Sequence, residues 1–240
     1  MELRGATALV TGAAHRVGRA IALGLAGAGS NVALHFHSSG AVAASTADEI
    51  RALGVKVATI AGDLGEDPAA VFAACGKLAP VRILVNNAAV FPADRLTDVT
   101  ATAWERTLAV NLTGPVFLTQ AFARALPEGV DGAVVNVTDW RTLRPYPDHF
   151  SYVVAKGGLD TFTRAAAEAL APRIRVNAVA LGAILPPSGK DSAYLKELAQ
   201  EIPLRRVGGT DPVVAAVLSL LGNDFVTGEI LRVDGGAHLR

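Results

Sequence analysis

The chain contains 240 residues, which is long enough for one large α/β domain with a substantial core. Its 22 basic and 22 acidic side chains balance, and no basic cluster stands out, so nucleic acid is not expected as a main partner. A single cysteine, Cys75, excludes an internal disulfide and indicates a reducing compartment. No signal-peptide pattern opens the chain, and no apolar stretch approaches the ~20 residues that span a bilayer, so we expect a cytoplasmic protein with no membrane partner.

The predicted elements alternate between short apolar runs and longer helical patterns. Strands are predicted, in chain order, at residues 7–10, 31–36, 56–61, 82–85, 133–137, 175–180 and 230–233. Helices are predicted between them, at residues 17–28, 41–53, 68–78, 101–110, 114–126, 150–170 and 212–221. Because the strands are apolar throughout, the pattern predicts an α/β fold in which helices cover both faces of a parallel sheet. No linker or change in composition divides residues 1–240, so we predict a single domain.

An insertion is predicted at about 183–206, after the sixth strand. It contains prolines and an amphipathic patch at residues 194–199. Ligands of doubly wound folds bind at the carboxyl ends of the strands, so a segment in this position could act as a lid over a substrate. The alternative is a surface loop with no role in function.

A glycine-rich turn at residues 11–18 lies between the first predicted strand and the first predicted helix. That position is typical of a loop that binds a pyrophosphate through backbone N–H groups and the helix dipole. Gly12 would let the backbone approach the phosphates, and Gly18, next to Val17, would let the helix pack closely on the sheet. Arg16 stands where a third glycine is usual. It either places a guanidinium beside the phosphates or the substrate, or is a solvent-exposed arginine at the start of a helix.

The segment after the second strand favours NADP(H) over NAD. An acidic residue about twenty positions beyond the glycines would bind the ribose 2′-hydroxyl of NAD, but residues 34–40 contain no acid. His37, Ser38 and Ser39 could instead hold a 2′-phosphate. His35 and His37 face one side of a strand, but no cysteine or carboxylate is adjacent, so we predict no metal site.

Polar residues also follow the third and fourth strands, where they could reach the adenine and the ribose. Asp63 with Leu64 ends the third strand, and Asn86 with Ala88 ends the fourth. Each could also be an ordinary turn residue or helix cap.

Tyr152 and Lys156 are four residues apart on a predicted helix and therefore share one face. The lysine charge can lower the pKa of the phenol, which suits proton transfer beside a hydride acceptor. Asp139 lies 13 residues before Tyr152, where a serine hydroxyl might be expected. An ionised aspartate only accepts hydrogen bonds, so the site is not suited to a simple ketone. Alternatively Asp139 is a turn cap and Thr138 takes the serine role.

Together these residues resemble the short-chain dehydrogenase/reductase family over essentially the whole chain. The matching positions, in order, are Thr11 to Gly18, Asp63, Asn86, Asn87, Ala88, Asn111, Tyr152, Lys156 and Val233 to Gly236. The resemblance implies a Rossmann-type doubly wound parallel sheet of seven strands, use of NAD(P)(H), and usually a homotetramer. It also implies that Asn111 anchors a water relay behind Lys156, and that the turn at Gly182 places the nicotinamide.

Within that family the chain looks like the pteridine reductases. Arg16 in the glycine turn, the stretch 34–39, Phe91 and Asp139 all match that group. The resemblance implies that the four residues that bind a pterin-like substrate are Arg16, Phe91, Asp139 and Tyr152. It also implies hydride transfer to a ring C=N bond with Tyr152 as proton donor. The chain departs from the group at Ser38, where an arginine is usual, and the insertion matches only loosely.

Two other functions remain open on the sequence. One is a general carbonyl or 3-oxoacyl reductase of the same family. The other is a protein that binds NADP(H) as a sensor without catalysis. Proteins of the second kind often lose the tyrosine or the lysine, and this chain keeps both.

Overall fold

A computed structural model describes residues 1–78, 80–186 and 192–240 of the chain. Seven parallel strands form one sheet in the order β3-β2-β1-β4-β5-β6-β7. The strands are β1 Thr7–Val10, β2 Asn31–Phe36, β3 Val57–Ala61, β4 Val81–Asn86, β5 Gly132–Asp139, β6 Ile174–Leu181 and β7 Ile230–Val233. This is the predicted Rossmann-type α/β sheet.

Helices connect the strands. They are α1 Arg16–Gly27, α2 Gly40–Ala52, α3 Pro68–Ala73, α4 Ala101–Leu108, α5 Gly114–Ala125, α6 Phe150–Leu170, α7 Ser192–Glu201 and α8 Asp211–Gly222. Short 3-10 helices occur at Ala74–Leu78, Trp140–Thr142 and Ala237–Leu239, and one π-helical turn, Ala109–Thr113, joins α4 to α5. No helix in the described ranges is long and apolar enough to cross a membrane.

The central strands bury both of their faces, which is why they are apolar throughout, whereas the edge strands β3 and β7 are partly exposed. In β1, Ala8 and Val10 pack with residues of α1, α2 and α8, whereas Leu9 between them packs with residues of α3, α5 and α6. Successive strand side chains point to opposite faces of the sheet, so one strand contributes to two cores.

The structure confirms the predicted elements with small differences at their ends. The predicted helix at 68–78 is divided into α3 and a 3-10 turn, and the two predicted helices between 101 and 126 are joined through the π-helical turn. The predicted insertion at 183–206 contains α7; its residues 187–191 lie outside the described residues.

The order of the strands reverses beside β1. The chain moves outward from β1 to β2 and β3, then crosses to β4 on the other side. Connections on the two sides diverge at this point, leaving a crevice at the carboxyl ends of β1 and β4, where doubly wound folds bind their ligands.

Candidate functional site

Two glycines let the turn after β1 pack tightly at this crevice. Gly12 has a φ of +61°, and a Cβ on it would lie 2.9 Å from the Cα of Ala88. A Cβ on Gly18 would lie 2.2 Å from the carbonyl oxygen of Gly12, so no side chain fits between α1 and the turn. The first turn of α1, with its unpaired backbone N–H groups, is thereby held against the strand ends.

Thr11 and Asn87 join the turn after β1 to the turn after β4. The Thr11 hydroxyl accepts hydrogen bonds from the backbone N–H groups of Asn87, at 2.9 Å, and Ala88, at 3.0 Å. The Asn87 amide donates to the carbonyl oxygens of Thr11, at 2.8 Å, and Gly12, at 3.2 Å. These four bonds fix the walls of the crevice.

A cavity of about 310 Å³ fills the crevice. Most of the residues predicted to hold the cofactor line it: Gly12, Arg16, Val17, Gly18, His37, Ser38, Ser39, Asp63, Leu64 and Ala88. A glycine turn closed against a helix N-terminus, with hydroxyl and imidazole groups further along, fits an anionic dinucleotide.

Asn86, which the sequence predicts to contact the cofactor, does not line this cavity, and its side chain is buried inside the sheet. Its amide donates to Oδ1 of Asn136 at 2.8 Å, and the Asn136 amide donates in turn to the Thr163 hydroxyl at 2.9 Å. The neighbouring Asn87 takes the place at the cavity wall.

His35 braces the glycine turn from β2. Its Nδ1 accepts a hydrogen bond from the backbone N–H of Gly12 at 3.2 Å, and its Nε2 lies 3.1 Å from the carbonyl oxygen of Gly62. These two contacts require the neutral ring with its proton on Nε2. Burial lowers the pKa of His35, which favours that neutral form.

An ion-pair network closes the end of the cavity around Asp63. Nη1 of Arg106, on α4, lies 2.9 Å from both carboxylate oxygens of Asp63, and Nε2 of His37 lies 3.5 Å from Oδ2. The hydrogen bond from Arg106 is the main reason that the pKa of Asp63 is lowered. Sequence reasoning missed Arg106, because it is 43 residues away from its partner.

Arg16 lies between the cavity and the segment after β6. Its φ of +57° is in the left-handed region, which explains why glycine is usual at this position. Its side chain lines the cavity, and its Nη2 donates to the carbonyl oxygen of Pro186 at 2.6 Å.

Asp139 and Tyr152 are in direct contact. The Tyr152 hydroxyl donates to Oδ2 of Asp139 at 3.1 Å, and the backbone N–H of Arg141 donates to Oδ1 at 2.9 Å. Burial raises the pKa of Asp139. Burial and the neighbouring Asp139 carboxylate raise the pKa of Tyr152 well above that of a free phenol. Thr138, the alternative to Asp139, is buried.

Lys156 is fully enclosed one helical turn beyond Tyr152. Its Nζ donates to the carbonyl oxygen of Val137 at 2.7 Å and lies 5.7 Å from the centroid of the Tyr152 ring. Burial lowers the pKa of Lys156 to about 8, and the carboxylates of Asp139 and Asp160 oppose that shift. The structure thus brings the predicted tyrosine, lysine and aspartate into one cluster.

Phe91 lies against this cluster with part of its surface open. Its ring contacts the Tyr152 ring edge-on, with centroids 4.6 Å apart, and 43% of the residue is exposed. One face of Phe91 is stacked on His149, with centroids 3.7 Å apart. A flat substrate ring could therefore stack only on the other face. Sequence reasoning missed His149, which has no local motif to mark it.

Two further predicted residues have structural contacts that the sequence did not indicate. The side-chain amide of Asn111 is bound at both ends to the backbone of Val90, at 3.0 and 2.9 Å, so it anchors the loop before Phe91. Gly182 does not line the cavity; a Cβ on it would lie 2.5 Å from the Cα of Asp234. In the described part of the chain no three histidine, cysteine or acidic side chains are grouped as metal ligands.

Comparisons with known proteins agree with this arrangement. The family model adh_short_C2, described as "Enoyl-(Acyl carrier protein) reductase", matches residues 12–238. The structure of FolM Alternative dihydrofolate reductase 1 from Brucella canis, complexed with NADP, is similar at a TM-score of 0.96 and 36% identity, covering 100% of this chain and 96% of the other.

Two relatives have names that point to sugars. L-xylulose reductase of Caenorhabditis elegans is 33% identical over 236 residues, or 95% of this chain and 94% of the relative. L-rhamnose 1-dehydrogenase (NAD(P)(+)) of Sphingomonas sp. (strain SKA58) is 33% identical over 248 residues, or 99% of this chain and 98% of the relative. The relatives therefore share a type of reaction but differ in the molecule on which they act.

Proposed function

Because the chain belongs to the short-chain dehydrogenase/reductase family, whose members are NAD(P)-dependent oxidoreductases, we propose that it uses NADPH to reduce a ring C=N bond of a pteridine such as a dihydropterin or dihydrofolate. The hydrogen bond between Tyr152 and Asp139 carries this proposal. In ketone reduction negative charge develops on the carbonyl oxygen, and an adjacent carboxylate destabilises it. A ring nitrogen instead takes up a proton, and its neighbouring N–H groups can donate to a carboxylate.

The cofactor part of the proposal rests on the cavity at β1 and β2. His37, Ser38 and Ser39 line it and no acidic residue occupies that stretch, which suits a 2′-phosphate better than a free 2′-hydroxyl. The similar FolM structure is described as a complex with NADP. NADPH, when bound, supplies the hydride.

The side chains of the cluster account for the proton. Tyr152 donates its phenolic proton to the ring nitrogen, and its raised pKa keeps it protonated until the substrate arrives. Lys156 is positively charged below about pH 8 and stabilises the phenolate that remains. Phe91 offers its open face to the flat ring, and Asp139 accepts from a ring N–H group.

The test is a substrate panel assayed with the purified protein and NADPH. Dihydrobiopterin, dihydrofolate and dihydromonapterin are compared with ethyl acetoacetate and L-xylulose. We expect kcat/KM for at least one pterin to exceed the carbonyl values by at least about tenfold. We also expect kcat/KM to be higher with NADPH than with NADH. Carbonyl turnover without pterin turnover, or a preference for NADH, would contradict the proposal.

A variant of Asp139, assayed on the same substrates, tests the role of this residue directly. Asp139→Ser should lower pterin kcat/KM by roughly 10–100-fold and raise ketone turnover, since the serine hydroxyl can donate to an oxyanion. The control is Asp131→Ser, an exposed aspartate just before the opposite end of β5, which should change neither rate. An unchanged pterin rate in Asp139→Ser would remove Asp139 from the mechanism.

A carbonyl reductase acting on a sugar is the second candidate, favoured by the names of the xylulose and rhamnose relatives. It requires Asp139 to be protonated, so that the carboxyl group can donate a hydrogen bond. Burial raises the pKa of Asp139, which makes that form more accessible at acidic pH. L-xylulose turnover that increases as the pH falls, with no pterin turnover at any pH, would favour this candidate.

A further inference from the structure

Arg141 carries a buried hydrogen-bond donor that nothing in the described structure satisfies. Its Nη1 is inaccessible to solvent and has no hydrogen-bond partner. Over the described ranges, no carboxylate lies within ion-pair distance of its guanidinium either. A buried donor without a partner destabilises the fold, and such groups are concentrated at functional sites.

The position of Arg141 is fixed beside the catalytic cluster. It lies in the 3-10 turn Trp140–Thr142, and its backbone N–H donates to Oδ1 of Asp139 at 2.9 Å. Its guanidinium carbon lies 4.7 Å from the centroid of the Tyr146 ring, a cation–π contact that holds the head group. Burial raises the pKa of both Asp139 and Tyr152, and the charge of Arg141 opposes the rise in each case. The backbone of Arg141 therefore adjoins Asp139, which in turn accepts from the Tyr152 hydroxyl.

The charged side chains around Arg141 limit which ligands can bind there. Asp139 and Asp160 are the two acidic groups whose charges affect Lys156, and Arg141 adds a second positive charge. Arg164 also acts on Asp160, so both acidic groups already have positive neighbours, and a neutral ligand disturbs the site least. The cluster contains one donor without a partner among the described residues, Nη1 of Arg141, and one acceptor, the Asp139 carboxylate.

Building on the pteridine function proposed above, we propose that Arg141 and Asp139 together recognise an amide edge of the substrate ring. Arg141 donates to the ring oxo oxygen, and Asp139 accepts from a ring N–H group of the same heterocycle. Arg141 is thus a specificity-determining residue that selects 4-oxopteridines.

The chemistry of the ring agrees with this arrangement. In a 2-amino-4-oxopteridine the oxo oxygen is flanked on one side by a ring N–H and on the other by N5, the nitrogen of the C6=N5 bond reduced in dihydropterins. A donor near Tyr152 can therefore reach the oxo group while Tyr152 faces N5. The same contact would be lost for a pteridine without the oxo group, although its reducible bond is unchanged.

The experiment measures how strongly the oxo group is preferred. Dissociation constants of 2-amino-4-oxopteridine and 2-aminopteridine are measured by fluorescence on the complex of the full chain with NADP⁺. We expect the wild type to bind the oxo compound roughly 10–100-fold more tightly, the range for a hydrogen bond to a charged group. In Arg141→Met the ratio should fall by about tenfold, and any preference that remains belongs to Asp139, because 2-aminopteridine also lacks the ring N–H that the oxo compound donates. Arg141→Lys, which keeps a charged donor, should retain part of the preference.

Arg144→Met is the matched control, because Arg144 is an exposed arginine three residues further along the same segment. It should keep the wild-type ratio. The dissociation constant for NADPH should be unchanged in every variant, which reports on the fold independently of the pteridine. A wild-type ratio retained in Arg141→Met would overturn the assignment of Arg141 alone. A wild type that binds and reduces no pteridine would overturn the proposed function together with it.

Discussion

At the scale of single residues, Lys156 shows how far the protein moves a side chain from its behaviour in water. Its ammonium group is buried and donates to one backbone carbonyl, that of Val137. Burial lowers its pKa from 10.5 to about 8, against the opposing charges of Asp139 and Asp160. The lysine that supports Tyr152 therefore loses its charge within an accessible pH range.

We predict that this titration limits turnover at alkaline pH. As the pH rises through about 8, Lys156 becomes neutral, and the phenolate left on Tyr152 after proton transfer loses its stabilising charge. The rate of pterin reduction should fall accordingly, although Tyr152 itself stays protonated. The measurement is kcat/KM from pH 6 to 10 with saturating NADPH. A rate that stays flat up to pH 9.5 would show that Lys156 keeps its charge.

The lowered pKa of Lys156 means that its charge destabilises the folded chain at neutral pH. Between about pH 8 and 10.5 the unfolded chain binds a proton at Lys156 that the folded chain does not. The buried charge therefore lowers the free energy of unfolding by its full amount below pH 8, and this loss disappears as the pH rises to 10.5. Lys156→Met should therefore raise the free energy of unfolding at pH 7 by about 1–2 kcal/mol while removing activity. Lys77→Met, at an exposed lysine, should change neither the midpoint in urea nor the rate.

Residue roles could be predicted where the chemistry is encoded in local spacing. Tyr152 and Lys156 are one helical turn apart, and the strand end at Asp139 precedes them by 13 residues. Arg106 and His149 could not be found in this way, because they act through contacts with residues 43 and 57 positions away in the chain. Asn86 and Asn87 show the remaining difficulty: neighbours in a strand point to opposite sides, and the sequence does not say which one faces the cavity.

At the scale of elements, the loop after β4 is fastened to the N-terminus of α6. The carboxylate of Asp94 accepts from the backbone N–H of Ser151 at 3.0 Å and also from its hydroxyl. The Nδ1 of His149 lies 2.6 Å from the carbonyl oxygen of Pro92, so it donates there. These bonds act as a cap for α6 supplied from a distant loop, and they hold Phe91 in place against Tyr152.

Asp94→Ala should therefore affect both stability and substrate binding. Loss of the cap should cost about 1–2 kcal/mol of unfolding free energy, and KM for the pterin should rise several-fold as Phe91 becomes less well positioned. Asp67→Ala is the matched control: Asp67 caps α3 by accepting from the backbone N–H of Ala70 at 2.9 Å, away from the cluster. The control should lose similar stability with an unchanged KM. Equal KM values in the two variants would rule out a positioning role for this cap.

Element boundaries were predictable to within a few residues because apolar periodicity and glycine turns mark them. The bounds of β1, β2, β7 and α6 agree with the prediction. The π-helical turn at Ala109–Thr113 was not predicted, since it depends on the tertiary contact that binds the Asn111 side chain to Val90.

At the scale of the whole molecule, α5 and α6 each expose a large apolar side chain. Phe117 on α5 is 48% exposed, and Val154 on α6 is 42% exposed. The family resemblance implies a homotetramer, and we propose that α5 and α6 meet their counterparts from a second copy of the chain.

Phe117→Glu should therefore shift the protein to a smaller assembly, because it places a charge in an apolar contact. The molar mass is measured by light scattering after size-exclusion chromatography. Leu53→Glu is a matched control, since Leu53 is 49% exposed at the end of α2, outside the proposed interface. A monomeric wild type, or equal masses for the two variants, would contradict the proposal.

Arg16 connects two parts of the molecule that could each hold a ligand. One side chain both lines the cofactor cavity and donates to Pro186, at the start of the segment that follows β6. If binding of the dinucleotide breaks the Arg16–Pro186 bond and thereby changes the affinity of that segment for a second ligand, the second ligand changes the affinity for the dinucleotide by the same factor. Such reciprocity ties the two binding events together, so the affinity of either ligand has to be measured with and without the other.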